Sequence, residues 1–237
     1  MTLVLCALKL EAKPFLNALE NRKTERRNKL KVYHGEIEGL KVMVACCGVG
    51  MKKAAACTQL LLDTFDISKI IMSGTAGGID RKLGIGDTVI SEELVYHEIT
   101  KNFPIKDCFS TEGTPLAGDA VLLGNAKRAI NEKSPGHIVY FGRTSTGKSF
   151  VRGKEFDTII KQYAPLCADM ESTAVAHVCH INSIPFVAVR SMSDTREVSG
   201  VINFYKYASL ASKNSFTVVK MMLRGDTDTD RRSDSEN

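Results

Sequence analysis

Ala168-Asp169-Met170-Glu171-Ser172-Thr173-Ala174-Val175-Ala176-His177-Val178-Cys179 follows directly on an apolar run, Pro165-Leu166-Cys167. The run has the look of a short buried strand, and the small-residue pattern after it that of a helix. Asp169 and Glu171 therefore sit where a strand hands over to a helix. At such junctions in α/β folds, side chains reach the crevice at the carboxyl edge of the sheet, where ligands bind. A second junction of the same kind follows, Pro185-Phe186-Val187-Ala188-Val189 and then Arg190-Ser191-Met192-Ser193-Asp194. Two strand ends that each deliver a carboxylate suggest one polar site beside a buried sheet. The competing reading makes Asp169 and Asp194 helix N-caps, a position Asp favours.

Outward from these junctions, buried strands alternate with helices. Residues 2–8 and 67–72 read as continuous apolar strands, and 32–37 and 40–46 as a hairpin across Glu38-Gly39. Residues 88–97 and 137–141 read as further strands. Helices are expected at 11–19, 51–63, 118–132, 153–163 and 202–223, with Pro14 tolerated because it falls in the first turn. Gly48-Val49-Gly50 and Gly74 to Gly78 read as turns, and residues 98–117, with Pro104, Gly113 and Pro115, as an irregular loop or interface arm. This alternation predicts a single-domain, three-layer αβα fold over residues 1–224: a mixed, mostly parallel twisted sheet flanked by helices. Residues 225–237 carry no apolar side chain and are expected to form a disordered acidic tail.

Composition narrows the function. With 43% hydrophobic and 25% charged residues in 237, the chain is that of an ordinary soluble domain with ample core. Its densest basic run, Arg22 to Lys31, contains Glu25 and Asn28 and lacks interleaved aromatics, so it reads as a solvated loop or helix end and not as a nucleic-acid surface. No stretch approaches the ~20 apolar residues of a membrane span. The seven cysteines are odd in number, form no C-x-x-C pair and mostly lie in apolar runs, which points to a reducing cytoplasm.

One short motif competes. Gly142-Arg143-Thr144-Ser145-Thr146-Gly147-Lys148-Ser149 fits the phosphate-cradling pattern G-x-x-x-x-G-K-[ST] and would make the protein a P-loop nucleotide binder. Its context is poor, because Phe150-Val151-Arg152-Gly153 reads as extended chain where a P-loop needs a helix. His177 and His180 have a spacing that metal sites can use, but no further ligand pair accompanies them. Neither a G-x-S-x-G elbow nor a G-x-G-x-x-G after the first strand is present.

The remaining signal is collective: Glu11, Glu171 and Asp194 all stand near strand ends. Carboxylates disposed around a sugar suit glycoside cleavage, in which one protonates the leaving group and another activates water.

The segments Ser73-Gly74-Thr75-Ala76-Gly77-Gly78, Ala168 to Ala174 and Arg190-Ser191-Met192-Ser193-Asp194 resemble those of 5′-methylthioadenosine/S-adenosylhomocysteine nucleosidases, within the purine nucleoside phosphorylase/uridine phosphorylase superfamily. The resemblance runs in register over nearly the whole chain. It implies that Asp194 protonates N7 of a leaving adenine, with Ser193 orienting that carboxyl. Glu11 would be the base for water, and Glu171 would bind the ribose hydroxyls above Met170. Phe150 would stack on the base while the Val151 backbone reads its edge. Thr75 would lie by the sugar or the water, Phe204 would line the 5′ pocket, and Arg190 would join the substrate-binding set. It further implies a homodimer without metal or cofactor, in which Phe103 of a neighbouring subunit closes the 5′ pocket. Phosphorolysis is the nearest rival, but where the phosphorylase branch carries a phosphate-binding Arg this chain has Met72. Futalosine hydrolysis on the same fold, and nucleoside binding without turnover by a sensor, stay open at this point. Lys148 departs from the family, which usually has an acid before the Ser/Ala-Phe pair.

Overall fold

A computed structural model of the chain describes residues 1–27, 29–98, 114–198 and 200–234, the last ten of these as backbone alone. Its strands are β1 (Thr2–Cys6), β2 (Glu20–Arg27), β3 (Leu30–Ile37), β4 (Leu40–Cys46), β5 (Lys69–Gly78), β6 (Thr88–Tyr96), β7 (Leu116–Ala117), β8 (Val139–Thr146), β9 (Cys167–Asp169) and β10 (Phe186–Thr195). The helices are α1 (Lys9–Ala18), α2 (Met51–Thr64), α3 (Ala120–Glu132), α4 (Glu155–Tyr163), α5 (Ser172–Ile181) and α6 (Val201–Asp234).

The sheet is mixed, as expected of this α/β chain. Along its path the order is β10-β6-β8-β9-β5-β1-β4-β3-β2, with β7 against β6, and β10 also pairs with β5. That extra pairing closes β5, β10, β6, β8 and β9 into a small barrel, while β1 to β4 continue as an open wing. Strand β1 lies parallel between β4 and β5 at the centre of the sheet. Period-two alternation splits its side chains between two cores. Leu3 and Leu5 join Ala54, Leu61 and Val175 under α2 and α5, whereas Val4 and Cys6 join Phe15, Val218 and Val219 under α1 and α6. Both clusters are fully buried, and Phe15 meets Phe216 edge-on at 4.9 Å.

Several local expectations change. The basic run is largely edge strand β2, paired antiparallel with β3, and not a loop. Its charged residues hide the strand from a periodicity reading, and charge is how exposed sheet edges avoid further pairing. The β3–β4 hairpin turns at Glu38 and Gly39, both at positive φ as a two-residue turn of this kind requires. Gly74 to Gly78 form no turn but the second half of β5. Helix α1 starts two residues early, so Pro14 lies inside it. Helix α6 continues through Asp234, well beyond the expected end at 223. Gly225 alone costs a helix only about 1 kcal/mol and no proline follows. Phe103 and most of the expected arm lie outside the described residues. No helix of the described residues is long and apolar enough to cross a membrane.

Candidate active site

The carboxyl ends of β1, β5, β9 and β10 surround a cavity of about 240 Å³. Glu11, Thr75, Phe150, Val151, Met170, Glu171, Ser193, Asp194 and Phe204 all line it. Glu11 and Glu171, 160 positions apart in the chain, thus face one space.

Glu11 sits in the first turn of α1. Its Oε2 accepts from the N–H groups of Ala7 and Leu8, both at 2.9 Å, which satisfies backbone donors left over at the helix start. Its Oε1 accepts from the N–H (2.8 Å) and the hydroxyl (2.9 Å) of Thr75 on β5. Four donors therefore hold this buried carboxylate in one orientation. Its neighbour across β5 is Arg190: a Cβ on Gly74 would lie 2.6 Å from both Arg190 Nη1 and Glu11 Oε1. Glycine is required at 74 because two side chains cross the strand there.

Arg190 itself does not line the cavity, which corrects its placing among the substrate contacts. It is fully buried beneath the floor. Nε lies 2.8 Å from Asp169 Oδ2 and 2.9 Å from Ser172 Oγ, and Nη2 lies 3.5 Å from Glu171 Oε2. Removing one side of such a buried pair costs about 3–5 kcal/mol because the other charge is left stranded. Arg190 therefore acts as the counter-charge that lets acids cluster here. Burial opposes its charge, but Asp169, Glu171 and Glu11 outweigh that and push its pKa up.

Asp169 serves the start of α5 much as the competing reading expected, although the N-cap position itself is Glu171, two residues on. The Asp169 Oδ1 accepts from Ser172 N–H at 3.2 Å and from the Thr146 hydroxyl at 2.6 Å. Asp194 is no cap. A bulge in β10 leaves Ser193 unmatched between Met192↔Ala76 and Asp194↔Gly77, so two successive residues face the same cavity where strict alternation would separate them. Ser193 donates to Asp194 Oδ1 at 3.0 Å. Burial raises the Asp194 pKa to about 6, against the pull of Ser193 and the Gly200 backbone. Burial likewise raises Glu171 to about 7; Arg190 and the Gly50 N–H pull it down, while Asp169 and Glu11 push it up. That N–H, donated at 2.8 Å, comes from the glycine turn before α2, where Gly48 and Gly50 adopt positive φ.

The opposite wall is apolar. Phe150 and Phe204 meet edge-on at 6.0 Å, and Tyr205 follows Phe204 at 5.4 Å. Val49, Phe156 and Tyr205 also line the cavity and escaped the sequence reading. Only Val49 carried a signal, its place between two glycines. Among the described residues, the lining contains no lysine, arginine or histidine.

The P-loop pattern dissolves in this setting. Gly142 to Thr146 are paired strand, so no nest of N–H groups forms. Gly142 is small because Leu166 packs on it, a Cβ there lying 2.7 Å from Leu166 Cδ1. Among the described residues no group of three or more His, Cys, Asp or Glu is placed to hold a metal ion.

Comparison with known proteins agrees with this architecture. The model of the phosphorylase superfamily matches residues 2–224. The 5′-methylthioadenosine/S-adenosylhomocysteine nucleosidase of Neisseria meningitidis, solved with methylthio-immucillin-A, is 28% identical, with 94% of this chain and 98% of that one covered at a TM-score of 0.85. A putative enzyme of the same name from Borrelia burgdorferi, bound to adenine, is 28% identical over 94% and 99% at 0.87. The futalosine hydrolase of Helicobacter pylori, at 23% identity and 0.84, shares the fold over 94% of this chain and 96% of its own.

Proposed function

The chain belongs to the phosphorylase superfamily, and on that premise we propose that it is an N-glycosidase that hydrolyses the N-ribosidic bond of 5′-thio-substituted adenine nucleosides and releases adenine. The observation that carries this reading is the meeting of Glu11, Glu171 and Asp194 around one cavity with an aromatic wall.

In this reading the purine stacks on Phe150 and its N7 faces Asp194. A carboxyl raised to about 6 by burial is poised to hold a proton, and a stacked purine removes more water from it. Protonating N7 lets adenine leave as a neutral molecule. The ribose then carries positive charge, which Glu11 and Glu171 stabilise. Glu171 takes the ribose hydroxyls, with Met170 beneath the ring. Water attacks from the side of Glu11. All four acceptor positions on Glu11 are occupied, and the Thr75 hydroxyl is the partner free to rotate. It can release Oε1 to accept the water's proton and itself accept from the water. Arg190 acts from below through Asp169 and Glu171. The apolar side chains of Phe204, Val49 and Tyr205 suit an apolar 5′ substituent such as a methylthio group.

Phosphorolysis fits less well. A phosphate nucleophile needs cations, and the described lining offers several carboxylates and no basic side chain. Met72 is buried with its Sδ 3.3 Å from Arg190 Nη2, and presents nothing to an anion. The reading includes a cytoplasmic homodimer over residues 1–224 in which a neighbour's Phe103 closes the 5′ end; free thiols at the six described cysteines suit that compartment. Free-base release from methylthioadenosine, S-adenosylhomocysteine, 5′-deoxyadenosine and futalosine, with and without phosphate and with excess chelator, tests it. Adenine release independent of phosphate and magnesium is expected. Binding without turnover would indicate a sensor, and release that requires phosphate a phosphorylase.

A further inference from the structure

Residues 147–151 leave β8 as a loop that carries Ser149, Phe150 and Val151 into the cavity lining. The start of this loop is tied to the two residues that follow β6. His97 N–H donates to Thr146 O at 3.1 Å, and Gly147 N–H donates to Asp169 O at 3.0 Å. The His97 ring packs so closely on Gly147 that any Cβ there would collide with Nε2. Glu98 then takes Lys148 with both oxygens. Oε1 accepts from the Lys148 N–H at 2.9 Å, and Oε2 lies 3.4 Å from Nζ. At the far end, Arg152 N–H donates to Glu155 Oε2 at 3.0 Å. The three cavity-lining residues are thus bracketed by two carboxylate-to-amide bonds.

We propose that Glu98 is a positioning residue that holds this loop at the level where Phe150 stacks on the substrate base, and that it acts through the Lys148 backbone N–H and not through the Lys148 ammonium. The loop anchor stands on geometry alone; its effect on a purine rests on the nucleosidase reading. Among the described residues two interactions reach Glu98, and their settings decide which matters. The Lys148 side chain is 76% exposed, and ion pairs that open to water contribute little. The bond to the N–H is charge-assisted and restrains the main chain itself, one residue from Ser149 and two from Phe150. Because stacking on the base is made in both ground and transition states, loosening the loop weakens binding more than it slows the bond-breaking step.

The test compares the full-length protein with Glu98→Ala, Glu98→Gln and Lys148→Ala in two measurements. Hydrogen exchange of peptides spanning 147–151 reports the anchor without reference to activity. Steady-state release of adenine from methylthioadenosine reports its effect. In Glu98→Ala, exchange is expected to accelerate at least about fivefold, since a protecting bond is lost. KM should rise about three- to tenfold, with kcat within about twofold of wild type. Glu98→Gln, which keeps an acceptor oxygen, should restore most of the protection. Lys148→Ala keeps the amide and should stay within about twofold of wild type in both measurements. Unchanged exchange in Glu98→Ala, faster exchange with unchanged KM, or an equal effect of Lys148→Ala would each overturn the proposal. If the wild-type protein released no adenine, the nucleosidase reading would fall by itself, and exchange would still decide whether Glu98 holds the loop.

Discussion

Replacing Asp194 by Asn should remove activity and at the same time make the protein more stable, by an amount that grows from about pH 4 to about pH 6 and stays constant above. The residue is 6% exposed, and its pKa rises from an ordinary 3.8 to about 6. At 1.36 kcal/mol per unit, ionising it inside the fold is harder than in the unfolded chain by roughly 3 kcal/mol. Below pH 3.8 both states hold the proton and the raised pKa has no consequence. Between 3.8 and about 6 the folded protein keeps a proton that the unfolded chain has released, so stability falls as pH rises through that window and levels off above it. Asn is neutral throughout and keeps an oxygen for the Ser193 hydroxyl, although it accepts from Ser193 and Gly200 less strongly than a carboxylate. Allowing for that loss, the variant should gain about 1–3 kcal/mol at pH 8 and about nothing at pH 4. For a chain of this length the gain corresponds to a rise in Tm of roughly 2–8 °C. Calorimetry from pH 4 to 8, together with adenine release from methylthioadenosine, measures both effects. A variant no more stable than wild type at pH 8, or a gap that does not change with pH, would refute the electrostatic argument. Retained turnover would refute the acid.

The pH profile of kcat/KM should be a narrow bell. In the proposed mechanism activity requires Asp194 protonated, a form lost above about 6, and Glu171 ionised, a form lost below about 7. A profile that is flat from pH 5 to 8 would contradict those assignments. Gly74→Ala should lower kcat/KM at least about tenfold and stability by about 1–3 kcal/mol, because its methyl group meets Arg190 and Glu11 at 2.6 Å; kinetics and thermal unfolding check both. Phe150→Ala should raise KM about tenfold, as expected from stacking worth about 1–3 kcal/mol per base. An unchanged KM would move the base elsewhere in the cavity.

The legible parts of this chain were those encoded by local rules. The continuous apolar run of β1 and the Glu38-Gly39 turn mark their elements without help, because apolar content and backbone sterics act over a few residues. Two strand-to-carboxylate junctions marked Glu171 and Asp194 as candidates, and three motifs in order carried the resemblance to the nucleosidases. The strand β2 was illegible because an exposed edge strand has no buried face to impose a pattern. The glycines of β5 look like a turn in sequence, since what they make room for, Arg190 and the carboxylates of Glu11 and Asp194, comes from β10 and α1.

By itself, then, the sequence determined an α/β chain, its main strands and helices, and which acids could do chemistry. Only the tertiary structure decided where each acid sits and what it contacts. It separated Asp169, which binds backbone N–H groups at the start of α5 and neutralises Arg190, from Asp194, which a bulge turns into the cavity. It also moved Arg190 from ligand contact to buried counter-charge, and turned a phosphate-binding pattern into an ordinary strand. These outcomes depend on burial and on partners far away in the chain, and the free energy of a charge is set by whatever surrounds it in space.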